Sequence, residues 1–212
     1  MLGWLKQIIP GRSPRIGTVD GLAAFIDRHA AFIAQKCADD YCRGKAGVGH
    51  YALSEETTYR KALAVCRWEG YAAMLMAVSA VAQRQLIEAG APGERVEACL
   101  VGLVDKILAG QPLPSHRPQG WSDLVGQLPE RLRWARSEPL PKLAEIAAPA
   151  ARRLFDVLPF HASHRELDEE VVTAAVQFQF VALSDRMRRQ IDPHGIVHDM
   201  EAGAASRHGA AD

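Results

Sequence analysis

Residues 54–88, SEETTYRKALAVCRWEGYAAMLMAVSAVAQRQLIE, place apolar side chains at helical spacing on two opposite faces. At about 100° per residue, Gly70 and Met74 fall on one face, whereas Trp68 and Leu75 fall half a turn away. A helix that is apolar on both faces must be covered on both sides. We therefore predict an all-α protein, a single helical-bundle-like domain of about six helices around this long central helix.

The composition is that of an ordinary globular chain. It has 212 residues, of which 48% are hydrophobic and 24% are charged, enough for one sizeable core. The 25 basic and 25 acidic residues give a formal net charge of zero. Because no overall field attracts a polyanion, we expect no nucleic-acid partner. No run of about 20 apolar residues occurs, so we also expect no transmembrane span.

The cysteines and the motif search bear on compartment and cofactors. Four cysteines lie on predicted helices without forming a C-x-x-C pair: Cys37, Cys42, Cys66 and Cys99. With no secretory signal beside them, they fit reduced thiols, and we predict a cytoplasmic protein. No phosphate loop, dinucleotide fingerprint, nucleophile elbow or metal-ligand spacing is present. We therefore predict no metal and no cofactor, and the sequence assigns no catalytic residue.

Proline and glycine divide the chain. We predict an N-terminal arm (1–17), a helical domain (18–192) and a disordered tail (193–212). Within the domain, a three-helix unit (18–109) precedes a proline-rich linker (110–120) and the C-terminal helices (121–192). The linker, GQPLPSHRPQG, has three prolines between two glycines. It is either an ordered strap over the core or a hinge.

The N-terminal arm carries its own apolar pattern. Residues 1–15, MLGWLKQIIPGRSPR, combine leucine, isoleucine and Trp4 with basic side chains. Lys6 and Gln7 interrupt the apolar part, which distinguishes it from a signal peptide. The arm either folds back on the domain or acts as a short interfacial anchor. The second alternative leaves open a weak peripheral membrane contact through Trp4.

Polar residues interrupt the apolar face of the first predicted helix, where His29 and Asp40 stand at core positions. If this helix packs antiparallel against the central one, residues that face each other across the pair have numbers that add up to about 98. Arg67 and Glu69 then come level with His29, and we predict a polar layer of these three, with Arg28 at its edge. The layer is either an ion-pair network that sets helix register or a site that binds a small anion or activates His29 as a base.

These considerations define the candidate ligand-binding residues, which all lie on the first two long helices. They are His29, Asp40, Tyr41, Arg67, Trp68 and Glu69.

Two runs within the same helices resemble a known family. FIAQKCADDYCRGKAG (32–47) and CRWEGY (66–71), about a tenth of the chain, are similar to small helical bacterial proteins that are often labelled esterase. The resemblance implies hydrolysis of esters. It carries no established catalytic residue across to this sequence.

Two functions follow. The first is an accessory, non-catalytic cytosolic protein that binds a partner protein or a small apolar or anionic molecule, at the first two helices or beneath the linker. The alternative is an esterase-type hydrolase of carboxylic esters, with His29, Arg67 and Glu69 assisted by Cys42, Tyr41 or a serine from the C-terminal half. The sequence specifies neither the ligand, nor the partner, nor the oligomeric state.

Overall fold

The structure, a computed structural model, describes residues 15–208, and the side chains of residues 15–203. Residues 1–14 of the predicted arm, including Trp4, lie outside the described residues. The fold is all-α, as predicted. The helices are α1 (Val19–Ala46), α2 (His50–Glu55), α3 (Thr57–Glu88), α4 (Gly93–Ala109), α5 (Ser122–Ala135), α6 (Leu143–Asp156), α7 (Ala162–Arg165), α8 (Glu169–Gln190) and α9 (Pro193–His208).

The central helix is α3, onto which α1, α4, α5 and α6 pack. Every residue from 69 to 83 is buried, and the helix passes Gly70 without a break. Helices from both sides of the linker thus share one core. The predicted start at Ser54 is wrong: Ser54 belongs to α2, and α3 begins at Thr57 because the backbone of Glu56 is extended, with φ −73° and ψ 127°.

The crossing of α1, α3 and α6 depends on a small residue. A Cβ atom on Gly70 would lie 2.8 Å from Cδ1 of Leu154 on α6 and 3.6 Å from Cβ of Ala34 on α1. Glycine therefore lets both neighbours approach the backbone of α3.

The outer helix α8 packs on α6 and α1. Its inner stripe follows the helical period and is buried: Val172, Val176, Phe180, Leu183 and Met187. Of the helices within residues 15–208, none is both long enough and apolar enough to cross a bilayer.

The prediction of a disordered tail is wrong for residues 193–208, which form α9. Proline suits the first turn of a helix, and Ile196 and Met200, one turn apart, are buried. Asp199 Oδ2 accepts a hydrogen bond of 2.8 Å from the Val19 N–H at the start of α1. Hydrophobic burial and this contact together order a segment whose composition suggests disorder.

Candidate functional site

The structure does not assemble the predicted polar layer. Within the described part of the chain, no hydrogen bond or ion pair joins any two of His29, Arg67 and Glu69. Arg67 and Glu69 are two positions apart on α3, so their side chains point about 200° away from each other and cannot both face α1. Level positions along two antiparallel helices are therefore not enough to bring these groups together.

His29 is a core residue. It is 7% exposed, its Nδ1–H donates a 2.9 Å hydrogen bond to the Phe25 carbonyl, and its ring stacks on the Phe25 ring with 4.0 Å between centroids. Burial lowers the pKa of His29, and the charges of Arg28 and Arg186 lower it further. The imidazole is therefore neutral at pH 7 and satisfied within α1.

Glu69 ties the proline-rich linker to α3. The carboxylate is 3% exposed and accepts hydrogen bonds from Arg117 Nε (2.6 Å) and Nη2 (2.9 Å), from Arg153 Nη2 (2.6 Å) and from His116 Nε2 (3.0 Å). Burial by itself would raise the pKa of Glu69, but the hydrogen bonds from Arg117, Arg153 and His116 outweigh burial and hold the pKa at about 2. Residues 110–120 are thus anchored as a strap.

The charged side chains around Glu69 pair with one another. Arg117 Nη1 also donates to both oxygens of Asp123 at 2.8 Å, and its guanidinium lies 4.5 Å from the ring centroid of Trp121. A cavity of about 520 Å³ opens beside Glu69 and Arg153. Because each carboxylate here already meets a guanidinium, the arrangement stabilises the fold and leaves no excess charge for a ligand.

Arg67 and Trp68 lie in a different place, at a cavity of about 480 Å³ between α1 and α3. Arg67 Nη2 donates to Asp39 Oδ1 at 3.0 Å. Trp68 packs edge-on against Tyr71, with 6.0 Å between ring centroids. Both side chains are at least partly accessible, and within residues 15–203 no hydrogen bond, ion pair or ring contact joins either of them to another candidate residue.

Asp40 and Tyr41 border a third and more apolar cavity. A groove of about 660 Å³ runs between the C-terminal half of α1 and the N-terminal half of α8, and we refer to it as the α1–α8 groove. Its apolar lining includes Cys37, Val171, Val172, Ala175 and Phe178, and its charged rim consists of Lys36, Asp40, Lys45 and Asp168.

The rim charges pair with one another. Tyr41 Oη and Lys45 Nζ donate to Asp168 Oδ2 at 2.8 and 2.6 Å, and Lys36 Nζ donates to Asp40 at 2.8 Å. Hydrogen bonds from Lys45 and Tyr41 lower the pKa of Asp168. The rim therefore presents paired charges around an apolar floor.

Sequence reasoning missed a set of exposed apolar side chains on the outer helix α8. Val171 is 62% exposed, Phe178 70% and Val181 55%, and all three lie on α8 beside the groove. The available signal was the apolar run VVTAAVQFQFVAL, which supplies both the buried stripe and a second stripe facing solvent. A helix that is apolar all round normally has partners all round.

The buried thiols and Tyr41 offer little to hydrolytic chemistry. Burial raises the pKa of the Cys37 and Cys66 thiols to about 12 and raises that of Cys42, so these thiols stay protonated at neutral pH. Burial and the hydrogen bond to Asp168 raise the pKa of Tyr41. Across residues 15–203, no three side chains of His, Cys, Asp or Glu are grouped so as to hold a metal ion.

Among the candidate residues, the structure therefore places Asp40 and Tyr41 at the α1–α8 groove, Arg67 and Trp68 at the smaller cavity, and His29 and Glu69 in the interior. Comparison of the chain with known protein families, with curated proteins and with solved structures finds no match.

Proposed function

We propose that this protein is a non-catalytic binding protein of the cytosol, and that its α1–α8 groove receives the apolar face of an amphipathic helix from a partner protein. The observation that carries the proposal is Phe178, a large aromatic side chain that is 70% exposed at the edge of an apolar groove. Exposed apolar patches of this kind mark interaction surfaces.

The shape of the surface favours a helix as occupant. Val171, Ala174, Phe178 and Val181 follow the spacing i, i+3, i+7, i+10 and form one exposed stripe along α8. The stripe is about 15 Å long, at about 1.5 Å per residue, which matches two to three turns of a bound helix. Helix-in-groove recognition uses anchors at this same spacing.

The rim favours a partner with both signs of charge. Lys36 and Lys45 stand on the α1 side, each beside a carboxylate of Asp40 or Asp168. An apolar centre within a polar rim is the usual arrangement of a protein interface. The occupant would carry apolar residues one helical turn apart, flanked by acidic and basic side chains.

The hydrolase alternative receives less support from the geometry. His29 would have to act as a base, yet it is 7% exposed and its Nδ1–H is held by the Phe25 carbonyl. Cys42, one of the suggested nucleophiles, is buried, and burial raises its pKa. An ester would therefore have no accessible pair of nucleophile and base at these residues.

The test places the photo-crosslinking residue p-benzoylphenylalanine at position 178 or, as a control, at the fully exposed Val48 in the single 3₁₀ turn (Gly47–Gly49) that follows α1. We expect position 178 to crosslink one protein in cells, and position 48 not to do so. After purification of that protein, we expect Phe178→Asp to weaken its binding about 30-fold, which corresponds to about 2 kcal/mol for an anchor residue.

Equal crosslinking at both positions, or unchanged binding by Phe178→Asp, would contradict the proposal. Circular dichroism provides the folding control, because an exposed substitution should change the free energy of unfolding by less than about 0.5 kcal/mol.

A further inference from the structure

The described chain begins at the C-terminal end of α8, the helix whose N-terminal half lines the α1–α8 groove. Arg15 Nη2 donates to the Arg188 carbonyl at 2.9 Å, and the Ile16 N–H donates to the Gln190 carbonyl at 2.7 Å. Nearby, the guanidinium of Arg186 lies 5.9 Å from the ring centroid of Phe32 on α1. The chain that precedes Arg15 is therefore attached at the C-terminal end of α8, where α8 and α1 lie side by side.

We propose that residues 2–9 of this same chain bind the α1–α8 groove and its exposed stripe, as an occupant in cis that a partner helix must displace. That this contact regulates partner binding rests on the proposed function, whereas the contact itself does not depend on it. The occupant is a segment outside the described residues, and its sequence, its point of attachment and its length support the assignment.

The length of the segment suits the groove. From Arg188 back to Val171 the axis of α8 spans about 26 Å, at about 1.5 Å per residue. Residues 10–14, PGRSP, can extend over about 16 Å, and eight residues in a helix add about 12 Å. The segment therefore reaches past Val181 and Phe178 and ends close to Val171.

The chemistry of the segment matches the surface. In LGWLKQII, Leu2, Leu5 and Ile9 are spaced i, i+3, i+7, so that a helix would place them on one face, with Trp4 and Ile8 adjoining. This face complements the exposed stripe of α8.

Charge favours one direction along α8. A segment that starts at Arg15 and runs back toward the N-terminal end of α8 brings Lys6 toward the exposed acidic residues Glu166 and Glu170. Opposite charges at the rim of an apolar contact favour one orientation over its reverse.

The first experiment is disulfide trapping in the full-length chain. Ile8→Cys is combined with Ala175→Cys in the groove lining or, as a control, with Lys106→Cys on α4. Lys106 is a fair control because its Nζ lies 3.1 Å from Asp20, five residues after the attachment point, but it lies outside the groove. We expect the 8–175 disulfide to form within one molecule at least tenfold faster than the 8–106 disulfide. Equal rates, or no 8–175 disulfide, would overturn the proposal.

The second experiment measures competition. A fluorescent synthetic peptide of residues 1–14 is titrated into the wild-type chain and into the full-length variant Leu5→Lys/Ile8→Lys, whose own segment has lost its apolar face. We expect the peptide to bind the variant at least tenfold more tightly, because a tethered segment competes at millimolar effective concentration. Adding Phe178→Asp to the variant should remove the binding. Equal binding to wild type and variant, or no binding to either, would overturn occupancy in cis. Crosslinking at position 178 in the Leu5→Lys/Ile8→Lys variant decides partner binding separately from both results, because the tethered segment of this variant no longer competes for the groove.

Discussion

Glu69 illustrates, at the scale of one residue, how a buried charge is kept ionised. Its carboxylate is 3% exposed on α3, yet it meets Arg117 and His116 of the strap and Arg153 of α6. These donors come from sequence positions far from Glu69, and together they connect three segments of the chain. A buried carboxylate with such donors stabilises the fold only while it is charged.

We expect Glu69→Gln to lower the free energy of unfolding at pH 7 by about 2 kcal/mol, because Arg117 loses a buried ionic partner. The matched control is Asp39→Asn, which removes a carboxylate from the exposed pair with Arg67 and should cost less than about 1 kcal/mol. Urea unfolding measures both. Equal losses in the two variants would contradict the assigned role of Glu69.

The same residue predicts a pH dependence. The pKa of Glu69 is about 2 in the folded state and lies below its ordinary value of 4.5. Between these values the unfolded state binds the proton and the folded state does not, so the stabilisation is complete above pH 4.5 and is lost as the pH falls towards 2. The difference in stability between wild type and Glu69→Gln should therefore shrink from pH 7 to pH 3.

At the scale of elements, the contact of α1, α3 and α6 is set by a single glycine. Gly70 lies against Leu154, whose side chain is 0% exposed. A methyl group added at Gly70 would therefore push an enclosed side chain out of its position in the core. By contrast, a Cβ atom added at Gly102 in α4 would have no atom within 4 Å apart from those of its chain neighbours and the nearby backbone of its own helix.

We expect these two glycines to respond to alanine with opposite signs. Gly102→Ala should stabilise the protein by about 0.5–1 kcal/mol through helix propensity. Gly70→Ala gains the same propensity but overpacks the crossing by about 1–3 kcal/mol, so the protein should lose about 1 kcal/mol of stability. Thermal unfolding of both variants measures the difference. A stabilising Gly70→Ala would show that the three helices are less closely packed than described.

At the scale of the whole molecule, the two ends of the described chain meet and complete the core. Ile16 forms a parallel bridge with Ile191, and Asp199 on α9 accepts from the first turn of α1. Ile196 is 0% exposed. This junction belongs to the cooperative core although it is built from the terminal segments.

We expect Ile196→Ala to lower the free energy of unfolding by about 3 kcal/mol, because it leaves a cavity among buried neighbours. His198→Ala, an exposed substitution two residues away, should change stability by less than about 0.5 kcal/mol. Circular dichroism and tryptophan fluorescence should report one coincident transition in both variants. A small effect of Ile196→Ala would indicate that α9 is not packed against the core.

Much of the architecture could be predicted because it depends on local periodicity. The two apolar faces of residues 69–83, the glycine-rich end of α1 and the all-α class follow from the spacing of apolar and helix-ending residues. The tail was mispredicted because small residues surround Ile196 and Met200. Only the tertiary structure shows that their burial and the hydrogen bond from Val19 to Asp199 order α9.

The candidate site was less accessible to sequence reasoning. Helical periodicity alone determined that this chain forms helices and that one of them is enclosed on two sides. Only the tertiary structure decided that Glu69 meets Arg117 and Arg153, that His29 is satisfied within its own helix, and that residues 15–203 leave the second apolar face of α8 exposed. The physical reason is that a side chain's partner depends on how helices rotate and cross, and the chain encodes this only through the packing of all helices together.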